Sequence, residues 1–390
     1  MMKRKIAYCL PSLYIPGGME RVLTIKANYF AEVMGYDIFI ILTDGKEEKP
    51  FYELSPKVKV INLDINYNQL WDKSFIRRTI GYFYNQHKYK KKLRKCLYEI
   101  EPDITISMLR REINFLGSIN DRSLKIAEIH TNRSNLRDFS YEKDPFSIKR
   151  ILAKIWMYQL IRKLKKINTF ITLSNEDKDK WTELNNVEVI YNPIPFFPNR
   201  ISECNNKQVI AVGRYVPQKG FDLLIDAWKI VNQKHPEWTL KIYGDGMRDE
   251  LQRQINKLSL ASSCILEKPV SNIADKYCES SIFVLSSRFE GFGMVITEAM
   301  ACGVPVVSFA CPCGPRDIIK EGLDGLLVEN GNVQELANKI CYLIEHDDIR
   351  QEMGKQARIN VERFKMENIA QNWEQLFDNI ISYNKIQTKL

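Results

Sequence analysis

The chain of 390 residues lacks any apolar run close to the roughly 18 residues that cross a membrane as a helix. Its basic N-terminus continues into an apolar run that is too short for a secretory signal peptide. We therefore expect a cytoplasmic protein. Hydrophobic residues make up 45% and charged residues 27% of the chain, and this composition excludes intrinsic disorder because it can form a buried core.

The sequence also has little that could hold a metal ion. Its nine cysteines are odd in number and scattered, and none of the four histidines lies near them at the spacing of a zinc site. Cys9, Cys264 and Cys302 lie within apolar runs, which predicts small buried side chains. Cys311 and Cys313 are the one close pair, for which we expect reduced thiols, with redox or metal chemistry as the alternative.

The net positive charge of +9 is concentrated in the first half of the chain. Residues 73–95 carry nine Lys and Arg and no acidic residue, and residues 145–166 carry seven and none; both stretches contain many aromatic and aliphatic residues. Basic segments of this kind are attracted to anionic membrane surfaces. We expect peripheral contact with the inner face of the cell membrane, with a solvated helix face as the alternative, and no binding to nucleic acid.

Short apolar runs alternate with helical segments along almost the whole chain, which predicts two doubly wound α/β units with parallel sheets. A proline-rich connector at residues 192–198 interrupts the alternation and predicts the domain boundary. The expected domains are 1–195 and 205–365, with a final helix at about 366–390.

Runs of strand length are predicted to form strands at 6–10, 37–43, 58–63, 104–109, 125–130, 169–173, 187–191, 209–212, 240–243, 265–267, 282–285, 304–309 and 325–328. Segments with helical spacing are predicted to form helices at 20–34, 74–99, 147–166, 223–233, 248–258, 293–301, 333–344 and 367–383. Ligands of such sheets bind beyond the carboxyl ends of the strands, where loops lead into helices.

The most informative stretch is residues 287–307, which follow a predicted strand, pass through a glycine-rich turn and enter a helix. Glu290 lies in the turn and Glu298 in the helix, so both carboxylates can face one site. The amides of Gly293, Met294 and Val295 begin the helix and can bind an anion. Without its neighbours, this glutamate pair would also fit an ordinary strand, turn and helix.

The complete string E-G-F-G-M-V-I-T-E-A-M-A-C-G-V-P-V-V resembles the signature of the family 4 glycosyltransferases. The resemblance implies the GT-B fold, in which two Rossmann-like domains face a central cleft and the C-terminal helix crosses back to the first domain. It also implies that Glu298 holds the ribose hydroxyls of a nucleotide sugar. Glu290, with the backbone from Gly291 through Phe292, would hold hydroxyls of the donor sugar.

Arg214 and Lys219 follow the first predicted strand of the second domain. Arginine can bind a phosphate with two hydrogen bonds, and lysine supplies a mobile positive charge. In the family that the chain resembles, the matching residues contact the donor diphosphate in place of a metal ion. We therefore expect no metal and no cofactor. The D-x-D string of Asp177 and Asp179 is predicted on a helix face rather than in a metal-binding loop.

Two elements of the first domain are added by the resemblance. Gly17 and Gly18 lie in the first strand-to-helix loop, in a G-G-M-E-R string typical of the family, where the glycine amides approach the diphosphate and the acceptor. For Glu20 and Arg21, a structural role on the helix is the alternative. His130 ends a predicted strand, and related enzymes have a histidine there that reaches the donor sugar; a buried structural histidine is the alternative.

Two further strings of the second domain resemble the family. Gly246 belongs to a G-D-G string that resembles the loop under the nucleotide base. The string P-C-G-P-R-D at residues 312–317 resembles one that is common in bacterial polysaccharide transferases. Arg316 and Asp317 either contribute to that site or simply begin a helix.

The resemblance implies retaining transfer of a hexose or N-acetylhexosamine from a nucleotide sugar, with UDP as the commonest carrier, to a lipid-linked saccharide or glycolipid acceptor. Bacterial capsule, O-antigen or another surface polysaccharide would be the product. The first domain would bind the acceptor and the second the donor, with catalytic roles for His130, Arg214, Lys219 and Glu290. The alternatives are a soluble acceptor, a nucleotide-sugar epimerase of the same fold, and a non-catalytic binding protein.

Overall fold

The computed structural model describes residues 3–136 and 148–387, with side chains described up to residue 384. The chain divides into two compact units. The first unit includes Asp177–Pro193 and the C-terminal segment from Met366 in addition to the N-terminal residues up to Leu173, and the second consists of Ser174–Glu176 and Ile194–Lys365. The change of unit after Pro193 lies inside the proline-rich connector.

In its described residues the first unit contains a parallel sheet of seven strands: β1 (Lys5–Leu10), β2 (Asp37–Leu42), β3 (Lys59–Asn62), β4 (Ile104–Ser107), β5 (Leu124–Glu128), β6 (Thr169–Thr172) and β7 (Val187–Val189). The strand order is β3-β2-β1-β4-β5-β6-β7. β1 pairs with β2 on one side, where Lys5 faces Asp37, and with β4 on the other, where Ile6 faces Ile104. The central strands β1, β4, β5 and β6 are buried almost throughout, as in a sheet that helices cover on both faces, while the edge strands β3 and β7 are more exposed.

The helices before the connector are α1 (Gly18–Glu32), α2 (Phe75–Ile100), α3 (Ile148–Leu164) and the short α4 (Asn175–Lys178). In α2 and α3 the buried residues lie mainly in the C-terminal half of each helix. In α2 the fully buried residues begin at Asn85, and in α3 they begin at Leu160. The N-terminal half of each helix therefore carries apolar residues that the core of the unit does not use.

The second unit contains a parallel sheet with the order β10-β9-β8-β11-β12-β13. Its strands are β8 (Gln208–Val212), β9 (Thr239–Tyr243), β10 (Cys264–Glu267), β11 (Ile282–Leu285), β12 (Val306–Phe309) and β13 (Gly325–Val328). Its helices are α5 (Phe221–Lys234), α6 (Arg248–Lys257), α7 (Ile273–Cys278), α8 (Met294–Ala301), α9 (Pro315–Ile318), α10 (Val333–Glu345) and α11 (Asp347–Asn360). Short 3₁₀ turns in the two units lie at Tyr67–Leu70, Arg111–Asn114, Leu116–Ser118, Arg133–Asn135, Pro217–Lys219 and Val361–Phe364.

The last helix, α12 (Met366–Gln387), belongs to the first unit, where it packs against α1. The rings of Phe377 and Phe30 meet edge to face with centroids 6.2 Å apart. The guanidinium of Arg4, next to β1, lies 2.5 Å from a carboxylate oxygen of Asp378. The predicted fold class, two Rossmann-like α/β units with parallel sheets, is confirmed.

Several predicted boundaries were wrong, and two helices of six residues or more, α7 and α11, were missed. β12 begins at Val306 rather than 304, because Pro305 has no N–H to donate to the sheet. β4 ends at Ser107, since Leu109 has φ +49°. α11 escaped prediction because its buried face contains Arg350, which donates to three carbonyl oxygens, and Gly354, where a Cβ would lie 2.4 Å from the carbonyl oxygen of Gly303. Neither residue produces an apolar period.

Candidate active site

The predicted donor residues follow β8 and β11, the strands at which the order of the second sheet reverses. Ligands of open α/β sheets bind outside the carboxyl ends of the strands at such a point. Arg214 follows β8, and Glu290 lies in the turn between β11 and α8.

An ion pair joins these two segments. Nζ of Lys219 lies 2.7 Å from Oε1 of Glu290, and Oγ of Ser287 donates to the same oxygen at 2.6 Å. The side chains of Lys219 and Glu290 are 15% and 7% exposed, so water and salt screen their attraction little. The amide of Glu290 also donates to the carbonyl of Pro312 at 3.0 Å, which fixes the turn. The ends of the strands therefore carry a fixed ammonium beside a fixed carboxylate.

Glycines bring the loops after β8 and β9 into contact. The amide of Tyr215 donates to the carbonyl of Asp245 at 2.7 Å, and the amide of Met247 donates to the carbonyl of Tyr215 at 2.8 Å. Gly246 has φ +130°, and a Cβ there would lie 2.6 Å from the carbonyl oxygen of Tyr215. Arg214 is exposed beside this junction, and no carboxylate of the described ranges pairs with it.

The glycine-rich turn leads directly into α8. Gly293 precedes the helix with φ +95°, a left-handed conformation that glycine adopts at no steric cost. Gly291 is half-buried and Phe292 is buried. Met294 and Val295 form the first turn, whose amides have no acceptor within the helix and can bind an anion.

Glu298 lies in the second turn of α8 and is only 3% exposed. Its Oε2 accepts a hydrogen bond from the hydroxyl of Tyr277 at 3.1 Å. A buried carboxylate is costly unless hydrogen bonds satisfy it, so this contact helps to hold Glu298 in place. The second unit thus combines two cations, two buried carboxylates and a helix N-terminus around the ends of its strands.

In the first unit, Gly17 and Gly18 lie where α1 begins. A Cβ on Gly17 would lie 2.0 Å from Oε2 of Glu20, so the carboxylate of Glu20 folds back over this loop. Glu20 is buried, and a carboxylate in the first turn stabilises a helix through its dipole. This geometry favours the structural alternative for Glu20.

His130 lies just beyond β5, beside a buried ion pair. Nζ of Lys26 is 2.6 Å from both carboxylate oxygens of Glu128, and neither side chain is more than 2% exposed. Nε2 of His130 lies 3.3 Å from Oε1 of Glu128, within ion-pair distance, but it is buried and forms no hydrogen bond with the described residues. Burial alone would raise the pKa of Glu128, but Lys26 and His130 lower it to about 2. The carboxylate is therefore charged at neutral pH.

Residues 196–360, which include Arg214, Lys219, Glu290 and Glu298, match the family model described as glycosyl transferases group 1. The chain is a glycosyltransferase.

Relatives of this glycosyltransferase match beyond the family region. A glycosyltransferase of Haemophilus influenzae is 28% identical over 377 residues, which are 95% of this chain and 99% of that protein. The amylovoran biosynthesis glycosyltransferase AmsD of Erwinia amylovora is 29% identical over 275 residues, 67% of this chain and 76% of AmsD. A structure of S. aureus TarM with UDP has a TM-score of 0.75 at 19% identity, covering 96% of this chain and 99% of that one. The predicted GT-B fold is confirmed.

In this glycosyltransferase, the segment around Arg316 and Asp317 forms contacts that the sequence did not reveal. Glu176, in the short segment assigned to the second unit, accepts from the amide of Cys313 at 3.0 Å and lies 3.4 Å from the guanidinium of Arg316. Nδ2 of Asn175 donates to Asp317 at 2.7 Å. These contacts favour a structural role for Arg316 and Asp317. They join positions 137 and 142 apart in the chain, and no local pattern signals them.

All nine cysteines are buried free thiols, so the interpretation of Cys9, Cys264 and Cys302 as small buried side chains is confirmed. Burial raises the pKa of the Cys311 thiol, with the charge of Glu290 as the next contribution. Cys313 is equally closed to solvent. Neither thiol of this pair is placed to meet a redox partner in solution.

Of the D-x-D string, only Asp177 lies in a helix, since α4 ends at Lys178, so the predicted helix position was wrong for Asp179. Asp177 is buried and accepts from the amide of Arg133 at 2.7 Å and from Nε1 of Trp181 at 3.2 Å. Among the side chains of residues 3–136 and 148–384, no group of three or more His, Cys, Asp or Glu is placed to hold a metal ion.

Proposed function

We propose that the second unit binds a UDP-linked hexose or N-acetylhexosamine, and that the enzyme transfers this sugar with retention to a lipid-linked saccharide of a bacterial surface polysaccharide. The ion pair of Lys219 and Glu290 at the ends of β8 and β11 carries the proposal. The UDP in the TarM structure supports uridine as the base. The name of AmsD, an amylovoran biosynthesis enzyme, supports a polysaccharide product.

Each part of the donor is assigned to a group in the second unit. Glu298 binds the ribose hydroxyls, and the open backbone at Gly246 lies under the base. Arg214 and Lys219 bind the diphosphate together with the first amides of α8, so that side-chain cations take the place of a metal ion. Glu290 accepts hydrogen bonds from hydroxyls of the donor sugar.

The proposed transfer forms the new glycosidic bond on the face from which the diphosphate leaves. The bond between the anomeric carbon and the diphosphate oxygen breaks, its electron pair goes to the nucleoside diphosphate, and that oxygen takes the proton of the acceptor hydroxyl. Arg214 and Lys219 stabilise the charge that grows there, and His130 is assigned to a hydroxyl of the donor sugar. A covalent intermediate on Glu290 is disfavoured because Lys219 and Ser287 both bind Oε1 and reduce its nucleophilicity.

The first unit is proposed to work at an anionic membrane surface. In the described ranges, no helix has both the length and the apolar character to span a bilayer. The N-terminal halves of α2 and α3 nevertheless expose a set of apolar side chains among Lys and Arg residues. This apolar-basic face consists of Phe75, Ile76, Ile80, Phe83 and Tyr84 of α2 and Ile148, Ile151, Leu152, Ile155 and Tyr158 of α3. Such a surface matches the apolar interior and the negative headgroups of a bilayer.

The donor assignment is tested by adding UDP-, GDP- and ADP-sugars to the enzyme in EDTA and following thermal unfolding. One UDP-sugar is expected to stabilise the protein, by about 2.7 kcal/mol at 100 times its Kd. Glu298→Ala is expected to abolish this increment, whereas Glu250→Ala, an exposed glutamate of the same unit, should retain it. Dependence of donor binding on a divalent metal would contradict the roles given to Arg214 and Lys219.

The products of the same mixtures separate the competing activities. A glycosyltransferase releases UDP when a lipid-linked acceptor is added, while an epimerase converts the free nucleotide sugar without an acceptor. Binding of the donor with neither reaction would indicate a binding protein.

The membrane assignment is tested by sedimentation with vesicles of phosphatidylcholine containing phosphatidylglycerol. Phe75 and Ile76 are 74% and 70% exposed, so the double change Phe75→Ser and Ile76→Ser should leave the fold intact. Because burying such a side chain contributes about 1.5–3 kcal/mol, binding should fall at least roughly tenfold. The control pair Val33→Ser and Ile359→Ser, each 64% exposed, should bind like wild type. An equal loss of vesicle binding in both double variants would contradict membrane contact through the apolar-basic face.

A further inference from the structure

The first unit contains a cavity of about 870 Å³ at the carboxyl ends of its central strands. It is lined by the segments that follow β1, β2 and β4, including Ser12, Asp44 and Arg110, and by α2 and α3. β1 and β4 are the strands at which the order of this sheet reverses. A ligand site is therefore expected here, and the volume lies within the roughly 300–1,000 Å³ of small-molecule sites.

The lining of this cavity combines aromatic rings with amides, as a site for a sugar requires. Tyr82 offers a flat apolar surface against which the C–H face of a pyranose can pack, and Phe83 lies beside it in the lining. Nδ2 of Asn114 donates to the hydroxyl of Tyr82 at 3.2 Å, and Gln86 and Gln159 add further amides. Side-chain amides can both donate to and accept from sugar hydroxyls.

The lining of the cavity carries three cations against two carboxylates, Glu20 and Asp44. Arg111 lies 3.9 Å from buried Asp44, while its guanidinium covers the ring of Tyr67 at 4.2 Å. The guanidinium of Arg110 donates to the sulfur of Met19 at 3.6 Å, and although its charge acts on the carboxyl of Glu112, no carboxylate of the described residues lies within ion-pair distance of it. Arg110 can therefore offer its guanidinium to an anion.

Lys163, from α3, is the third cation of the lining. Its Nζ donates to Oδ1 of Asn114 at 2.6 Å, a neutral partner. Burial lowers the pKa of Lys163, and a bound anion would offset that cost. Arginine and lysine together are the groups that bind phosphate oxygens, arginine with two parallel hydrogen bonds.

The helices that line the cavity also carry the apolar-basic face. Phe83 lines the cavity and is 67% exposed, and Trp156 of the lining lies next to Ile155, which is 49% exposed. A hydrocarbon chain that leaves the cavity along α2 or α3 would therefore meet apolar side chains.

We propose that this cavity binds the phosphate-bearing saccharide head of a lipid-linked acceptor. Arg110 and Lys163 pair with the phosphate oxygens, the sugar ring packs against Tyr82, and the lipid follows the apolar-basic face. The inference rests on the proposed function, since it names the acceptor of that transfer. With the cations Arg110 and Lys163 in the cavity, the proposed acceptor is a lipid phosphate or diphosphate rather than an uncharged glycolipid.

The test is calorimetric titration of the full-length enzyme, without donor, with farnesyl-diphosphate-linked N-acetylglucosamine. Arg110→Gln and Lys163→Gln are each expected to weaken binding about tenfold, the loss of one charge-assisted phosphate contact. Lys165→Gln, the same charge change on an exposed residue just after α3, should bind like wild type. The uncharged octyl glycoside of the same sugar should bind all four proteins equally.

Each other outcome has a defined meaning. Unchanged affinity in Arg110→Gln and Lys163→Gln, or an equal loss in Lys165→Gln, overturns the proposal. If inorganic pyrophosphate binds as tightly as the lipid-linked probe, the cavity recognises a free phosphate compound and the lipid assignment is overturned. If the enzyme binds the lipid-linked probe but no nucleotide sugar stabilises it, the donor assignment is refuted and the cavity assignment stands. If a nucleotide sugar stabilises the enzyme but the probe does not bind, only the cavity assignment is refuted.

Discussion

Lys219→Met is expected to lower kcat for sugar transfer about 10²- to 10³-fold, the usual loss when one group that stabilises a developing negative charge is removed. The ammonium of Lys219 is held 2.7 Å from Glu290, and the alkyl chain of Lys219 packs beside Gly213, the residue that follows β8. Methionine keeps the length of the side chain and removes its charge. The measurement is steady-state UDP release in the presence of acceptor, with thermal unfolding as the check on folding.

A double-mutant cycle with Glu290→Gln separates catalysis from structure. If the ion pair only stabilises the fold, removal of both charges should restore most of the activity, because no unpaired buried charge remains. If each residue contacts the donor, the double variant should be at least as inactive as Lys219→Met. Recovery of activity in the double variant would remove both residues from the proposed donor site.

Lys26→Met is expected to destabilise the first unit by about 3–5 kcal/mol, because it leaves the carboxylate of Glu128 buried without its cation. Lys26 and Glu128 are both at most 2% exposed, and the imidazole of His130, 3.3 Å from Glu128, remains beside the carboxylate when the ammonium is removed. Urea unfolding followed by circular dichroism measures the change. Lys95→Met, which breaks an exposed pair with Glu99 on α2, should have a much smaller effect.

Acid should weaken the same pair. Folding lowers the pKa of Glu128 from its ordinary 4.5 to about 2, so the folded state binds fewer protons than the unfolded state in this range. The stabilisation is therefore present above pH 4.5 and is lost as the pH falls toward 2. Glu128→Gln should flatten this part of the curve of stability against pH; an unchanged acid slope would mean that other groups produce it.

The sequence predicts those parts of the fold that depend on neighbours along the chain. β11 and β13 begin and end where their apolar runs do. Glu290 and Glu298 were found because the turn and helix that hold them form one continuous string. The buried ion pair of Lys26 was missed because lysine in a helix is normally exposed, and because its partner Glu128 lies 102 residues away in the chain.

The cavity of the first unit escaped prediction for a related reason. Its lining comes from segments around Ser12, Asp44, Arg110 and Trp156, which only the strand order brings together. The basic character of residues 73–95 and 145–166 was visible in the sequence, but not which of those residues are exposed and which line a cavity. The predicted Ser147–Lys166 helix is observed from Ile148, and its first position lies outside the described residues.

Because α12 packs in the first unit, that unit is assembled from the two extremes of the chain: Arg4 pairs with Asp378, 374 positions later. Closing so long a loop is entropically costly before the contacts form. During synthesis, residues 194–365 all leave the ribosome before the last helix does, so the second unit has its complete sequence while the first still has an open flank against α1. The half proposed to meet the membrane thus receives its last helix only after the whole sequence of the half proposed to bind the nucleotide sugar has been synthesised.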